Sequence, residues 1–559
     1  MKYGFISFFI LLLFASCGED SESTLAIVSS SQNPSHPVPS NPETTDETTD
    51  DSSESPSEVQ PAPNNLPQAT GVSSVLTEDT TLTSILVGVD DDGDALVYSI
   101  VTTPAHGVVI ITDSSTGAFQ FVPANGYYGA DSFTFKVNDG KGDSNTATVT
   151  LDIREAISFG VVWFNDLSEV GTEDQGKAII ADSDSNIFIT GYITQAGPGF
   201  KNMYLTKYKK DGTLDTSFGV AGIVIYTGST GDSEGSSIAL DGNGNIYISG
   251  YQYIDPINKK DATIWKYNSS GVLDTSFGAS GIVNFNNTYN NNDLSLNIQV
   301  DSNDYIYISI DSTTNSNTCF FGSACVDILV NKYNSDGTLE TNFGTNGVLK
   351  INSANDTYNL ISLLLDGLGS LYINYRTAVF GFSKISRLSD VTGSVDTSYA
   401  TAGTMTFDGS IFLYGLRLGN YGNLFFTGHK SFSDLVVGKI DSTGVLDTNF
   451  GTSGYFNHKP DGSNLVRGHS LAIDSNDNIF VVGKEQNTNT DIGIWKLDSS
   501  GVLDTDFQMS GHYFENNIGG GDYMDWLSSV VLAPNGGIYA TGHTSTPGND
   551  HDTILFYIE

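Results

Sequence analysis

The chain has 559 residues, with 65 Asp plus Glu against 24 Lys plus Arg and a formal charge of -41. So large an acidic excess repels nucleic acid and anionic membrane surfaces, and it argues against a polyanionic substrate. The 60 glycines and the many Asn, Asp, Ser and Thr residues, with few long apolar runs, predict short strands joined by turns in an all-β chain of at least two domains.

Residues 1–16 carry Lys2 and then the apolar run Phe5 to Phe14, which has the form of a secretion signal and is too short to span a bilayer. Phe14-Ala-Ser-Cys17 resembles a bacterial lipobox, with Phe where Leu is commoner. The resemblance implies cleavage before Cys17 and a lipidated Cys17 that anchors the chain in the cell envelope. Gly18 offers no signal for inner-membrane retention, which points to the outer membrane with possible surface exposure.

Residues 17–66 are Ser, Thr, Pro, Asn and acid with almost nothing to bury, as in Glu43-Thr-Thr-Asp-Glu-Thr-Thr-Asp-Asp-Ser-Ser-Glu54, and predict a disordered tether. Its root-mean-square reach is roughly 40 Å before charge repulsion and proline extend it.

Residues 67–153 switch to short alternating runs, among them Ala95-Leu-Val-Tyr-Ser-Ile-Val101 and Ser132-Phe-Thr-Phe-Lys-Val137, which predict a small antiparallel sandwich. Asp90-Asp-Asp-Gly-Asp94, Pro104-Ala-His-Gly107, Gly126-Tyr-Tyr-Gly-Ala-Asp-Ser-Phe-Thr-Phe135 and Val137-Asn-Asp-Gly140 resemble the cadherin-like, tandem-repeat Ig modules of bacterial surface proteins. By that resemblance Glu78, Asp90, Asp92 and Asp139 fall where cadherins bind structural Ca²⁺, an ion that wants six to eight oxygens. No mid-domain Asp-Arg-Glu accompanies them, and the same acids serve equally as turn caps.

From residue 154 to 559 one phrase returns six times, starting at Gly212, Gly271, Gly337, Gly393, Gly444 and Gly501. Its first copy is Gly-Thr-Leu-Asp-Thr-Ser-Phe-Gly, and the fourth is weakened to Gly-Ser-Val-Asp-Thr-Ser-Tyr-Ala, which predicts a looser turn there. Around the phrase four strand-like runs recur, here named a to d, and the second of them occurs seven times. The chain ends on a c run without a d run, while Phe159-Gly-Val-Val-Trp163 is a d run with no a, b or c before it. Complementary ends predict a seven-bladed β-propeller closed by its own N-terminal strand. The repeat resembles the bacterial delta-60 repeat and, more distantly, NHL propellers.

In each phrase Leu214, Phe218 and their equivalents are expected to fill the gap between blades. The basic column Lys207, Lys266, Lys332, Arg387, Lys439 and Lys496 is expected to pair with Asp215, Asp274, Glu340, Asp396, Asp447 and Asp504. Turns such as Asp182-Ser-Asp-Ser-Asn186 resemble the start of calcium loops but lack the Glu at position twelve, so they read as hairpins. Cys319 and Cys325, in a region without His, read as a loop-closing disulfide in an exported protein.

Function is expected where the copies differ. Directly after run b stand Tyr192, Tyr251, Asp311, Arg376, His429, Lys484 and His543, placed by the pattern on the b to c loops at one mouth, with His469, Asp522, Asp525 and Trp526 nearby. The expectation is a lipid-anchored, non-catalytic binding or adhesion protein that presents this mouth to a protein or glycan ligand. The alternatives are a propeller enzyme that hydrolyses or eliminates glycans and a periplasmic scaffold. No Gly-x-Ser-x-Gly, His-Glu-x-x-His or phosphate loop is present.

Overall fold

A computed structural model describes residues 63–154, 159–163, 173–194, 199–228, 230–254, 259–286, 292–314, 325–351, 359–376, 381–431, 433–459, 465–486, 490–508, 510–515, 524–545 and 551–558. Cys17, Cys319, Asp522 and the tether up to residue 62 lie outside the described residues, and with them the lipidation and disulfide expectations.

Alternation of apolar and polar residues makes nine strands in the N-terminal domain: β1 (Gln68–Thr70), β2 (Val72–Thr77), β3 (Leu82–Ile85), β4 (Val87–Val89), β5 (Val97–Thr102), β6 (Gly107–Asp113), β7 (Ala118–Pro123), β8 (Gly129–Asn138) and β9 (Ala147–Arg154). They form the sheets β2-β9-β8-β5 and β3-β7-β6, with β1 paired to β4. Phe133, Phe135 and Val137 on β8 point the same way and meet Phe119 and Phe121 of β7 in a fully buried core. Strand β2 runs parallel to β9, from Val72 opposite Val149 to Thr77 opposite Arg154, and the other sheet pairings are antiparallel.

The remaining described strands form seven four-stranded antiparallel sheets. Their first strands, a, are Asp174–Ala181, Ser233–Leu240, Asp293–Val300, Asn359–Leu365, Ile411–Leu418, Leu465–Ile473 and Trp526–Leu532. Each packs on the next, and Trp526–Leu532 packs back on Asp174–Ala181, so the seven sheets close a ring. In six sheets the d strand follows its own c strand. In the seventh, the outer strand β10 (Phe159–Trp163) pairs with the last strand of the chain, His551–Ile558, from Phe159 opposite Ile558 to Trp163 opposite Ile554. Closure of this kind leaves no open sheet edge between first and last blade.

The recurrent phrase is the joint between blades. Phe218, Phe277, Phe343, Tyr399, Phe450 and Phe507 are buried to at most 1 % exposure, each between its own blade and the next. A Cβ on Gly271 would stand 2.9 Å from Phe218, and one on Gly501 would stand 2.8 Å from Phe450, and with Gly393 on Phe343 and Gly444 on Tyr399 the first glycine of these four phrases seats on the aromatic ring of the phrase before it. The backbone follows the same path: Gly219 N–H donates to the Ser270 carbonyl at 3.0 Å and Gly451 N–H to Ser500 at 2.7 Å.

The fourth copy is not loosened. Tyr399 occupies the aromatic position and is fully buried, Ala400 N–H donates to Thr443 at 2.7 Å, and the Gly403 N–H to Tyr399 bond closes the turn at 2.7 Å. Ala400 holds the left-handed φ of 48° that glycine supplies in four other copies, so the turn is kept at a cost in backbone strain.

Five expected ion pairs form within blades: Lys207 to Asp215 at 3.7 Å, Lys266 to Asp274 at 3.2 Å, Arg387 to Asp396 at 2.7 Å, Lys439 to Asp447 at 3.5 Å and Lys496 to Asp504 at 2.8 Å. The sixth is different. Lys332 donates instead to the Asp390 carbonyl at 2.9 Å and lies 4.1 Å from the Tyr305 ring centroid.

Candidate functional site

Every a strand carries a β-bulge at the same register, between Gly176 and Ala178 in the first blade and between Leu527 and Ser529 in the last. A bulge re-aims one side chain. Here Lys177, Ser236, Leu296, Tyr414, His469 and Ser528 at the bulges line a central cavity of about 680 Å³, together with Asn297, Gln299, Arg417 and a set of serines. No Asp or Glu lines that cavity among the described residues, although the chain holds 65 of them.

The seven residues expected on b to c loops belong to the b strands themselves. Tyr192 pairs with Gln175, Tyr251 with Glu234, Asp311 with Leu294, Arg376 with Asn359, His429 with Phe412, Lys484 with Arg467 and His543 with Trp526. In blades 1, 2, 5, 6 and 7 the b strand runs on past a glycine that has no Cβ to collide with the a strand: one on Gly191 would sit 1.8 Å from the Gln175 carbonyl oxygen. The seven residues and their a-strand partners therefore make a ring one step above the bulges, at the mouth where a strands begin.

That ring has two unlike arcs. In blades 1 and 2, Lys201 lies 3.7 Å from the Tyr192 ring centroid and Lys260 3.8 Å from that of Tyr251, while the tyrosine hydroxyls donate to Glu173 at 3.3 Å and Glu234 at 3.2 Å. Burial first, then these carboxylates, push both phenols up. Cations and acids compensate one another on this side.

In blades 4 to 7 the cations sit on aromatic rings instead. The Arg376 guanidinium is 4.0 Å from the Phe412 centroid, and Lys484 Nζ is 4.7 Å from that of Trp526. Phe412 stacks on His429 at 4.5 Å, Tyr414 lies edge-on to His469 at 5.9 Å, and Trp526 meets His543 at 3.9 Å. Among the described residues, none of Arg376, Arg467 and Lys484 has a carboxylate within 4.0 Å. Burial and the nearby Arg467 hold Lys484 below the usual lysine range.

The histidines of this arc are neutral at pH 7. Burial, then Arg467 and Arg376, bring His429 down to about 4. Burial, with Lys484 and Arg467 behind it, does the same to His469, whose Nδ1 lies 2.8 Å from the Leu527 carbonyl. His543 is also held well below the ordinary value by burial and by His551, Lys177 and Lys484. Asp525 is buried at 1 % exposure and accepts hydrogen bonds from Thr544 and from Ser545 N–H, which gives it a structural part.

Arg467, Tyr414, Phe412 and Lys177 were missed in the sequence. They stand next to the small residue two positions into each a strand, a place marked by Gln175-Gly-Lys177 and Arg467-Gly-His469 but hidden where Ser or Leu replaces the glycine.

In the sandwich, Asp90, Asp92 and Asp94 bring one carboxylate oxygen each within 4.8 Å of one another. Lys141 Nζ is 2.7 Å from Asp94, Asp92 accepts from Asn65 N–H and Nδ2, and Asp139 caps the N–H groups of Lys141 and Gly142. Glu78 is not part of this group of three. In the a to b turns the Asp182 Oδ1 atom accepts the N–H groups of Asp184 and Asn186, and Asp241 and Asp474 repeat the pattern, which is the hairpin reading.

Residues 64–152 match the family model of a bacterial Ig domain, and residues 475–507 match a β-propeller model described as a domain of unknown function, DUF5122. Integrin beta-like protein A of Dictyostelium discoideum is 30% identical over 241 residues; the match takes in 40% of this chain, which spans 11% of that relative's length. Among solved structures, a protein of unknown function from Bacteroides thetaiotaomicron is similar over 89% of this chain and 99% of its own, at 10% identity and a TM-score of 0.30. A polysaccharide lyase, ulvan lyase, is similar over 69% and 94% at 10% identity and a TM-score of 0.37. The β-propeller domain of the Trilobed protease from Pyrococcus furiosus is similar over 69% and 92% at 7% identity and a TM-score of 0.34. This chain thus carries a bacterial Ig domain followed by a β-propeller.

Proposed function

We propose that this protein is a non-catalytic binding protein of the bacterial cell envelope, anchored by lipid at Cys17, held off the membrane by residues 18–66 and the Ig domain, and engaging an extracellular glycan or protein with the a-strand mouth of its propeller. One observation carries the reading: the blades repeat their joints faithfully and differ at the mouth, where unlike cations, aromatics and neutral histidines gather one step above the residues that line the central cavity. Paired acid chemistry on glycans needs two carboxylates flanking the bond, and the described cavity lining offers none. Any calcium at Asp90, Asp92 and Asp94 would stiffen the Ig domain and take no part in recognition.

Protease shaving of intact cells followed by blotting for the propeller tests the placement. Loss of the signal is expected. Full protection until the outer membrane is opened would overturn the extracellular role. Binding of the purified chain to cell-surface or matrix material, abolished by Tyr414→Ala and Trp526→Ala, tests the mouth.

A further inference from the structure

The net charge of -41 argues against polyanions, yet the mouth is built the opposite way. Its blade 4 to 7 arc gathers Arg376, Arg467 and Lys484, and none of these has a carboxylate within 4.0 Å among the described residues. Aromatic faces hold two of them in place, and a ring quadrupole orients a cation without cancelling its charge. Arg417, deeper in the cavity, also has no carboxylate in that range; its Nη1 donates to its neighbour's carbonyl at 2.9 Å. Charges left uncompensated in a partly desolvated cleft are costly, and a bound anion removes the cost. At physiological salt the Debye length is about 8 Å, so the acids spread over the rest of the surface are largely screened from a ligand seated here.

The neighbours of these cations specify the rest of the ligand. Among the described residues, both ring nitrogens of His543, which is 1 % exposed, find no hydrogen-bond partner, and neither does Arg467 Nε. A neutral imidazole offers one donor and one acceptor, which suits hydroxyl groups. Trp526 and Tyr414 supply partly exposed flat surfaces, and Ser236, Ser237, Asn297 and Gln299 continue the polar lining inward. Hydroxyls, flat rings and fixed cations together match a sugar that carries negative charge. The central cavity next to this arc, lined by Tyr414, Arg417 and His469 and not by Arg376, Arg467 or Lys484, has about 680 Å³, within the range of ligand sites, about 300–1,000 Å³.

From this arrangement we infer that the blade 4 to 7 arc of the mouth binds an acidic polysaccharide, through a carboxylate or sulfate group on Arg467, Lys484 and Arg376 with sugar hydroxyls beside His469 and His543. The inference rests on the binding role proposed above and names its ligand class. Carboxylate and sulfate present the same chemistry to these cations, so the source is left to the probes.

The test is calorimetric titration of the full chain with polygalacturonate, dextran sulfate, neutral dextran and polyglutamate. Wild type should bind at least one of the two acidic polysaccharides and not neutral dextran. Arg467→Gln with Lys484→Gln should weaken that binding at least tenfold, and Arg376→Gln alone should weaken it measurably. Lys209→Gln, which removes one charge from an exposed site after strand c on the opposite face, should leave it unchanged. Melting curves of each variant separate lost binding from lost fold. Binding of neutral dextran that Tyr414→Ala abolishes would overturn the acidic class and leave the binding role standing. Polyglutamate binding as well as the sugars would overturn the sugar assignment. Equal losses in Lys209→Gln would reduce the effect to bulk charge and overturn the site. No binding of any probe by wild type would overturn the inference, and persistence of cell-surface binding in that case would show that the wider role survives it.

Discussion

Replacing His469 with Asn provides a sensitive probe of how the mouth is wired. The substitution keeps an N–H for the Leu527 carbonyl, 2.8 Å from the present Nδ1, and removes the titrating ring. In the folded protein that ring is held at about 4 against 6.5 for the ordinary imidazole, because burial and the cations Lys484 and Arg467 oppose its charge. The sign follows from proton counting. Above pH 6.5 neither state holds the proton, between 6.5 and about 4 the unfolded chain binds it and the folded propeller does not, and below about 4 both do. Stability is therefore lost as pH falls through that window, by up to about 3 kcal/mol at full effect, and roughly 1 to 2.5 kcal/mol at pH 4.5 once water in the cavity is allowed for. Urea unfolding followed by tryptophan fluorescence at pH 7.5 and pH 4.5 reads this out, since Trp163, Trp265, Trp495 and Trp526 all lie in the propeller region. At pH 7.5 the variant should be slightly less stable than wild type for loss of the edge contact with Tyr414. At pH 4.5 its relative stability should rise by roughly 1 to 2.5 kcal/mol. A difference between variant and wild type that stays constant with pH would refute the electrostatic account of the mouth.

Phe450→Ala should cost about 3 to 5 kcal/mol in the same unfolding assay, because the ring is 1 % exposed between two blades and its removal leaves a cavity that the closed ring of blades cannot collapse. Gly501→Ala should also destabilise, by more than 1 kcal/mol, since its φ is +82° and a Cβ would meet Phe450 at 2.8 Å; a neutral result would mean the phrase is not the interblade joint. Asp182→Ala should lower stability by about 1 to 2 kcal/mol through two unsatisfied amides, with no response to calcium or chelator in either form. In the Ig domain, wild type should show no calcium shift in melting temperature, whereas Lys141→Ala frees Asp94 and should create one; a calcium shift in wild type would show that the ion displaces the lysine.

Architecture was legible because it is repeated. Phe218 and its five equivalents, the Lys and Asp columns and the mismatched ends each appear several times, and repetition separates a structural requirement from chance. Lys332 escaped because its partner is a backbone carbonyl, which no side-chain column can reveal. The mouth was half legible: the residues after run b pointed to it, but their placement on loops was wrong because the glycine before five of the seven reads as a strand end, while its role is to let two strands pass closely. Arg467 and Tyr414 stayed hidden because a bulge breaks the period-two alternation from which strand faces are read. Net charge, a sum over 559 residues, says nothing of where Arg376, Arg417, Arg467 and Lys484 gather.

The pairing of Phe159 with Ile558 also sets a timetable. The strand that waits for its partner is made about 400 residues before that partner leaves the ribosome. Joining segments about 400 residues apart carries a loop-closure cost on the order of 5 kcal/mol if the intervening chain is slack, and far less once six blades have already curved the two ends together. Blades built from neighbouring segments can form in order of synthesis, but the circle itself is completed only once His551–Ile558 has been made. A chain that stops before His551–Ile558 should carry six finished blades and an open gap, and so be marked for proteolysis. The arrangement makes His551–Ile558 a check that translation has passed through all seven blades.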